Sequence, residues 1–170
     1  MNAPAQENPF SFDLPSLDLR RFSEPASQPL TGEKYLVFFS GDEFYAISSR
    51  KVVEVAPTLP VTVLPNAPEW LLGIANLRGE VISVLNLSIL LEKKNSKPAP
   101  KPKFIILRSP AFESGVAFTA DRISEIVIVP DEAVKFNDAA QSLPIFGKAI
   151  HKSQTLNLID TEKLLASLKF

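Results

Sequence analysis

From residue 33 onward the chain alternates short apolar runs with turn-forming clusters. Tyr35-Leu36-Val37-Phe38-Phe39 gives way to Ser40-Gly41-Asp42, and then Phe44-Tyr45-Ala46-Ile47 and Lys51-Val52-Val53-Glu54-Val55 follow. Pro57, Pro60, Pro65, Ser109-Pro110 and Pro130 punctuate the rest. Runs of this length rich in Val, Ile, Phe and Tyr predict strands, and Val61-Thr62-Val63 adds a short alternating one. Helix signals are few. Asn66 caps an expected turn of helix through Pro68-Glu69-Trp70-Leu71-Leu72, which Gly73 ends. Asp160 caps an expected final helix whose Leu164, Leu165 and Leu168 share one face.

Two stretches lack this pattern. Residues 1–32 hold five of the 15 prolines and no regular apolar period, which predicts a disordered or loosely docked tail. Phe10, Phe12, Leu14, Leu17, Leu19 and Phe22 interrupt its polar background, as a tail wrapping its own domain or a short partner motif would. Residues 92–103, from Glu92 to Lys103, are dominated by Lys, Pro and Ser and read as a linker or long exposed loop.

The segments flanking that linker resemble each other. Ala46 and Ala117, Lys51 and Arg122, Val52 and Ile123, and Glu54 and Glu125 all stand 71 residues apart. Gly73, Val84-Leu85-Asn86 and Leu90-Leu91 match Gly147, Leu158-Ile159-Asp160 and Leu164-Leu165 at an offset of 74. One internal duplication of about 60 residues, with loops of unequal length, accounts for both offsets. The first repeat covers about 34–91 and the second about 103–168. Several short strands and one terminal helix per repeat leave many sheet edges, and closure into a small barrel removes them most economically. The expected fold is therefore all-β, with two pseudo-symmetric barrels and a few short helices.

Composition narrows the chemistry. The 170 residues carry 18 Lys and Arg against 19 Asp and Glu, a net charge of −1, which gives no general electrostatic reason to bind nucleic acid. The basic linker lacks the interleaved aromatics that stack on bases. With no cysteine and a single histidine, His151, thiolate chemistry and His-paired metal sites are excluded, and no cofactor or metal is expected. Phosphate-binding glycine loops and the nucleophile-elbow pattern are absent. Glu54 and Glu125 are matched carboxylates, but no second polar shell surrounds them in sequence, so ion pairing suits them better than acid–base work. The start of the chain has neither a basic n-region nor an apolar core, and the longest charge-free stretch, Val55 to Pro68, holds four prolines. A soluble, cytoplasmic chain that neither inserts in a membrane nor catalyses a reaction is expected.

The distinctive local feature runs from Trp70 to Leu87. One strand leads into Arg78-Gly79 and another leaves it, and Gly79 tolerates the positive φ of a hairpin turn. Arg78 is thereby projected at the apex, where its planar fork suits a carboxylate.

These residues resemble the bacterial CheW-like family of chemotaxis adaptors. The resemblance covers roughly residues 34–168: the opening Tyr35-Leu36-Val37-Phe38, the strand pair through Gly41-Asp42-Glu43-Phe44-Tyr45, and Lys51-Val52-Val53-Glu54-Val55. It is most specific at Trp70 through Gly79 with the core Asn76-Leu77-Arg78-Gly79, and it returns at Leu158 through Leu165. It implies two intertwined SH3-like barrels and a non-enzymatic scaffold. It also implies two partners, the regulatory domain of a chemotaxis-type histidine kinase and the cytoplasmic tip of a methyl-accepting chemoreceptor. The same fold serving a pilus-motility or other non-flagellar pathway is the alternative. The expected partner-binding residues are Val52, Glu54, Val55, Gly73, Asn76, Leu77, Arg78 and Gly79, with Glu54 close enough to pair with Arg78. Two departures from the family's usual pattern stand out: Ser83 and Asn86 stand where it has Pro and Asp, and Lys152-Ser153 stand where a glycine-containing turn is common.

Overall fold

Among the described residues twelve strands form, six and then six more in the same order. A computed structural model describes residues 31–91, 99–108, 115–136 and 144–168. The expected tail, up to residue 30, and the linker from 92 to 98 lie outside the described residues. The first half gives β1 (Glu33–Ser40), β2 (Glu43–Ser48), β3 (Val52–Ala56), β4 (Val61–Thr62), β5 (Leu71–Leu77) and β6 (Glu80–Leu85), followed by α1 (Leu87–Leu90). The second gives β7 (Lys103–Leu107), β8 (Val116–Ala120), β9 (Arg122–Val129), β10 (Lys135–Phe136), β11 (Ile145–His151) and β12 (Gln154–Ile159), followed by α2 (Thr161–Ala166).

The two sheets exchange strands between the halves. One sheet runs β10-β11-β12-β2-β1-β9, and the other runs β4-β5-β6-β8-β7-β3. Replacing every strand of the first by its counterpart six places along gives the second, so the pseudo-symmetry is complete at the level of topology. Each barrel combines the opening hairpin of one half with the last four strands of the other. The seams are the parallel pairs β12–β2 and β6–β8, whereas every other pairing is antiparallel.

This exchange explains the uniformly apolar runs. In β1, Tyr35 and Val37 fill one barrel, while Leu36 and Phe38 face a central core shared with Ile105, Leu107, Val116 and Phe118. The twin barrel is filled by Phe104, Ile106, Ala117, Ala75, Ile82 and Val84. The seam strands are buried on both faces and cannot alternate. β5, away from the seam, alternates more openly.

Local signals held at one helix and failed at another. Asp160 Oδ1 accepts from the backbone N–H of Glu162 and Lys163, both at 3.1 Å, and starts α2 as expected. Its counterpart Asn86 accepts from Ser88 N at 3.1 Å and starts α1, so the Asn found there performs the capping that an Asp would. The helix expected at Pro68–Leu72 does not form: Leu71 and Leu72 already belong to β5. Asn66, at φ 57°, sits in a turn instead of capping a helix. Pairing of Leu71 with Leu85, and packing of Leu72 against the barrel interior, outweigh a local tendency worth only about 1 kcal/mol. Gly73 does not end a helix but sits in a β-bulge at φ 145°, where an added Cβ would lie 2.1 Å from the Thr62 carbonyl oxygen.

Candidate functional site

Arg78 and Gly79 form the two-residue turn between β5 and β6, with φ of 54° and 92°. Two successive positive φ values define the turn whose twist matches that of the flanking strands. Asn76 Oδ1 accepts from Gly79 N at 2.9 Å and ties the tip together. Gly79 has open space around its missing Cβ, so its conformation and not crowding calls for glycine.

The tip carries Arg78 to Glu54 on β3. Arg78 Nη2 lies 2.6 Å from Glu54 Oε2, with the Arg78 side chain 80% exposed and that of Glu54 only 22%. The expected pair therefore forms, and it leaves most of the guanidinium fork facing solvent. On β3, Val53 and Val55 are exposed, as is Val81, which pairs with Asn76 across the hairpin. The strand that supplies Glu54 thus carries two exposed valines, and the hairpin that supplies Arg78 carries a third.

The remaining predicted residues are placed differently. Val52 packs against the central core and Leu77 against the barrel interior, so neither offers its whole side chain to a partner. Gly73 lies at the far end of β5, at the bulge. Val53 and Val81 were not picked out from the sequence. The alternation Val53-Glu54-Val55 was the available cue for the first, and the position opposite Asn76 in the hairpin was the cue for the second.

The other barrel repeats the arrangement. The β11–β12 turn is Lys152-Ser153, at φ 48° and 65°, and Lys152 Nζ donates to both Glu125 carboxylate oxygens at 3.0 Å. The Lys152 hydrogen bond, reinforced by its charge and by His151, holds the Glu125 carboxyl below its ordinary range despite some desolvation. Glu54 with Arg78 and Glu125 with Lys152 are one interaction built twice, in the ion-pairing role expected of both carboxylates. The 74-residue offset that matches Gly73 to Gly147 also carries Arg78 onto Lys152, and could have exposed the second pair. His151 Nε2 is buried without a hydrogen-bond partner and lies 3.7 Å from Glu125 Oε1.

At position 83 the departure from the family pattern has a visible consequence. Ser83 N donates to Gly115 O at 3.3 Å across the β6–β8 seam, a bond that a proline cannot make.

Among the described residues no cluster of three His, Asp or Glu side chains can hold a metal ion, and no helix is long and apolar enough to cross a membrane. Two strand-exchanged barrels presenting ion-paired hairpin tips make up a double-barrel domain. The family is given by the sequence match: residues 34–169 fit the CheW-like domain, and the chain belongs to that family.

Individual relatives agree. A probable chemotaxis protein CheW of Rhizobium etli is 30% identical over 106 residues, which cover 61% of this chain and 66% of that protein. The chemotaxis protein CheW of Klebsiella aerogenes is 26% identical over 140 residues, covering 80% and 83%. Protein FrzA of Myxococcus xanthus is 26% identical over 149 residues, covering 85% and 92%. The crystal structure of the scaffolding protein TtCheW from Thermoanaerobacter tengcongensis superposes with a TM-score of 0.70 at 21% identity, over 78% of this chain and 92% of that one, and shares the SH3-like double-barrel fold.

Proposed function

We propose that this protein is a cytoplasmic scaffold that couples a methyl-accepting chemoreceptor to a chemotaxis-type histidine kinase. It would bind the receptor's cytoplasmic tip and the kinase's regulatory domain, with no cofactor, nucleic acid or membrane insertion. The observation that carries this reading is Arg78, oriented by Glu54 at a fixed hairpin tip, with exposed valines on both elements that supply the pair. An arginine whose fork is only partly used, set beside apolar surface, has the chemistry of a protein–protein anchor. Such an adaptor works by geometry: it holds two partners in a fixed relation and turns nothing over. Glu54, Val55, Asn76, Arg78 and Gly79 are its exposed or orienting elements, and Val52, Leu77 and Gly73 support them from beneath.

The resemblance to FrzA is compatible with a second reading, in which the same adaptor serves a pilus-motility or other non-flagellar pathway with different partners. Calorimetric titration of the full chain against the kinase regulatory domain and the receptor tip encoded in the same genome tests both. Binding of both fragments is the expected result. Binding of neither would overturn the coupling role. Binding only of components from a non-flagellar system would favour the second reading.

A further inference from the structure

The two hairpin tips match in register and differ at one supporting position. In the first, Asn76 faces Val81 and Leu77 faces Glu80; in the second, Ile150 faces Thr155 and His151 faces Gln154. Asn76 and Ile150 are therefore counterparts, each an exposed residue two places before the first residue of its turn. In the first tip the Asn76 carboxamide reaches along the turn, and its Oδ1 accepts from Gly79 N at 2.9 Å. Ile150 carries no acceptor, so the equivalent Ser153 N–H receives nothing from that side chain.

Both turns begin on a residue that resists its own conformation. Arg78 and Lys152 lie at φ of 54° and 48°, the left-handed region that a residue with a Cβ enters only at a cost. A residue that leaves this region swings its side chain to a new direction. The Asn76–Gly79 bond spans Arg78, so it adds its free energy to the turn in which the two ends meet. Direction matters for an arginine, whose planar fork binds only what it faces, and matters little for an ammonium. Glu54 holds the head of Arg78 through Nη2, while the side chain stays 80% exposed.

We propose that Asn76 is the positioning residue of this surface. By bonding Gly79 it holds the Arg78 backbone in the left-handed turn and so keeps the guanidinium directed at a partner, making no partner contact of its own. The same side chain sets the Arg78 tip apart from its Lys152 twin, where Ile150 cannot form the tie. A group already directed binds without first being ordered, and one directed only part of the time binds more weakly in proportion. The effect on binding rests on the coupling role proposed above, whereas the tie belongs to the free chain.

NMR of the ¹⁵N-labelled full chain reads the tie with no partner present. In Asn76→Ala the Gly79 amide should exchange with water roughly three- to tenfold faster, as for one lost hydrogen bond of ordinary strength. Relaxation of the Arg78 Nε–H should show a looser guanidinium in the same variant. Asn76→Asp keeps the acceptor oxygen and should restore slow exchange at Gly79. Ile150→Asn should do the reverse at the twin tip and slow exchange at the Ser153 amide by a similar factor. Titration calorimetry with the receptor-tip and kinase fragments reads the consequence. Asn76→Ala should weaken the partner that Arg78→Ala weakens, by roughly three- to tenfold, and add no further loss in the Arg78→Ala background.

Unchanged Gly79 exchange or an equally ordered Arg78 Nε–H in Asn76→Ala would overturn the tie, and no slowing at Ser153 in Ile150→Asn would overturn its role in distinguishing the tips. A loss of affinity that persists in the Arg78→Ala background would make Asn76 a contact and not a positioning residue. If the parent chain binds neither fragment, the coupling role fails, and the exchange and relaxation results alone decide whether Asn76 positions Arg78.

Discussion

The two hairpin tips share a backbone and differ in chemistry. At one, Arg78-Gly79 holds an arginine against a mostly covered Glu54. At the other, Lys152-Ser153 holds a lysine against a more exposed Glu125 and puts a serine where glycine would relax. Neither ion pair adds much stability, because exposed pairs contribute about 0–1 kcal/mol. Orientation is what distinguishes them. A guanidinium bonded through one nitrogen still presents a directional fork to a partner, whereas an ammonium bonded to both oxygens of its carboxylate is largely used up. The first tip keeps guanidinium donors free, and the second spends its ammonium on its own carboxylate.

The comparison breaks most severely at the bulges behind the tips. Gly73→Ala places a methyl group 2.1 Å from the Thr62 oxygen at a φ of 145°, whereas at Gly147 the nearest atoms, Lys135 O and Val134 Cγ1, are 3.0 Å away. Gly73→Ala should cost roughly 3 kcal/mol or more, and Gly147→Ala about 1 kcal/mol. Urea unfolding of the two single variants measures the difference. Equal losses would mean that the two bulges are not distinguished by backbone strain.

At the tips themselves the expected effect is on binding, not folding. Arg78→Ala should scarcely move the melting temperature, yet weaken one partner by on the order of 2 kcal/mol, about thirtyfold. Arg78→Glu should be worse, because it sets like charge beside Glu54, and the receptor is the partner expected to suffer more. Lys152→Ala, run in parallel, should leave that affinity unchanged. Titration calorimetry with both fragments decides. If Arg78→Glu binds like the parent, or if it unfolds, the surface is wrongly assigned.

Much of this difference could be read from residues alone. The hairpin, its glycine, the duplication and the Asp160 cap were all visible, because each rests on local chemistry or on a repeat offset. The Arg78–Glu54 pair and the intertwining of the barrels came only from the family resemblance, and which strands are exchanged was not legible at all. Tyr35 to Phe38 and Phe104 to Leu107 look the same whether they pair within their own half or across it, and only tertiary pairing chooses. The false helix at Pro68–Leu72 failed for the same reason, since its cap and its glycine are genuine local signals overruled by the β5–β6 ladder.

Turn conformation gives a smaller and opposite effect. Ser153 sits at φ 65° without the freedom of glycine, so Ser153→Gly should stabilise the domain by about 0.5–1 kcal/mol. Gly79→Ser should destabilise it by a similar amount. Thermal unfolding of both variants should give shifts of opposite sign, and shifts of the same sign would show that the tips are not conformational equivalents.

The smallest effect is the pH dependence of the second pair. The Lys152 hydrogen bond depresses the Glu125 carboxyl in the folded protein, so the unfolded chain takes up its proton first as pH falls. Stability from this group is therefore complete above the ordinary Glu range and is lost as pH drops through the lowered folded value. It does not change between pH 6 and 8. Lys152→Gln removes the main cause of the depression while leaving the hairpin its turn. The gap in melting temperature between parent and variant should thus be present at pH 6 and shrink towards zero at pH 3. His151 lies 3.7 Å from the same carboxylate and contributes to holding it down. A Lys152→Gln, His151→Gln double variant isolates the lysine contribution. A gap that persists undiminished at pH 3 would mean that Lys152 acts through packing of its stem and not through the charge on Glu125.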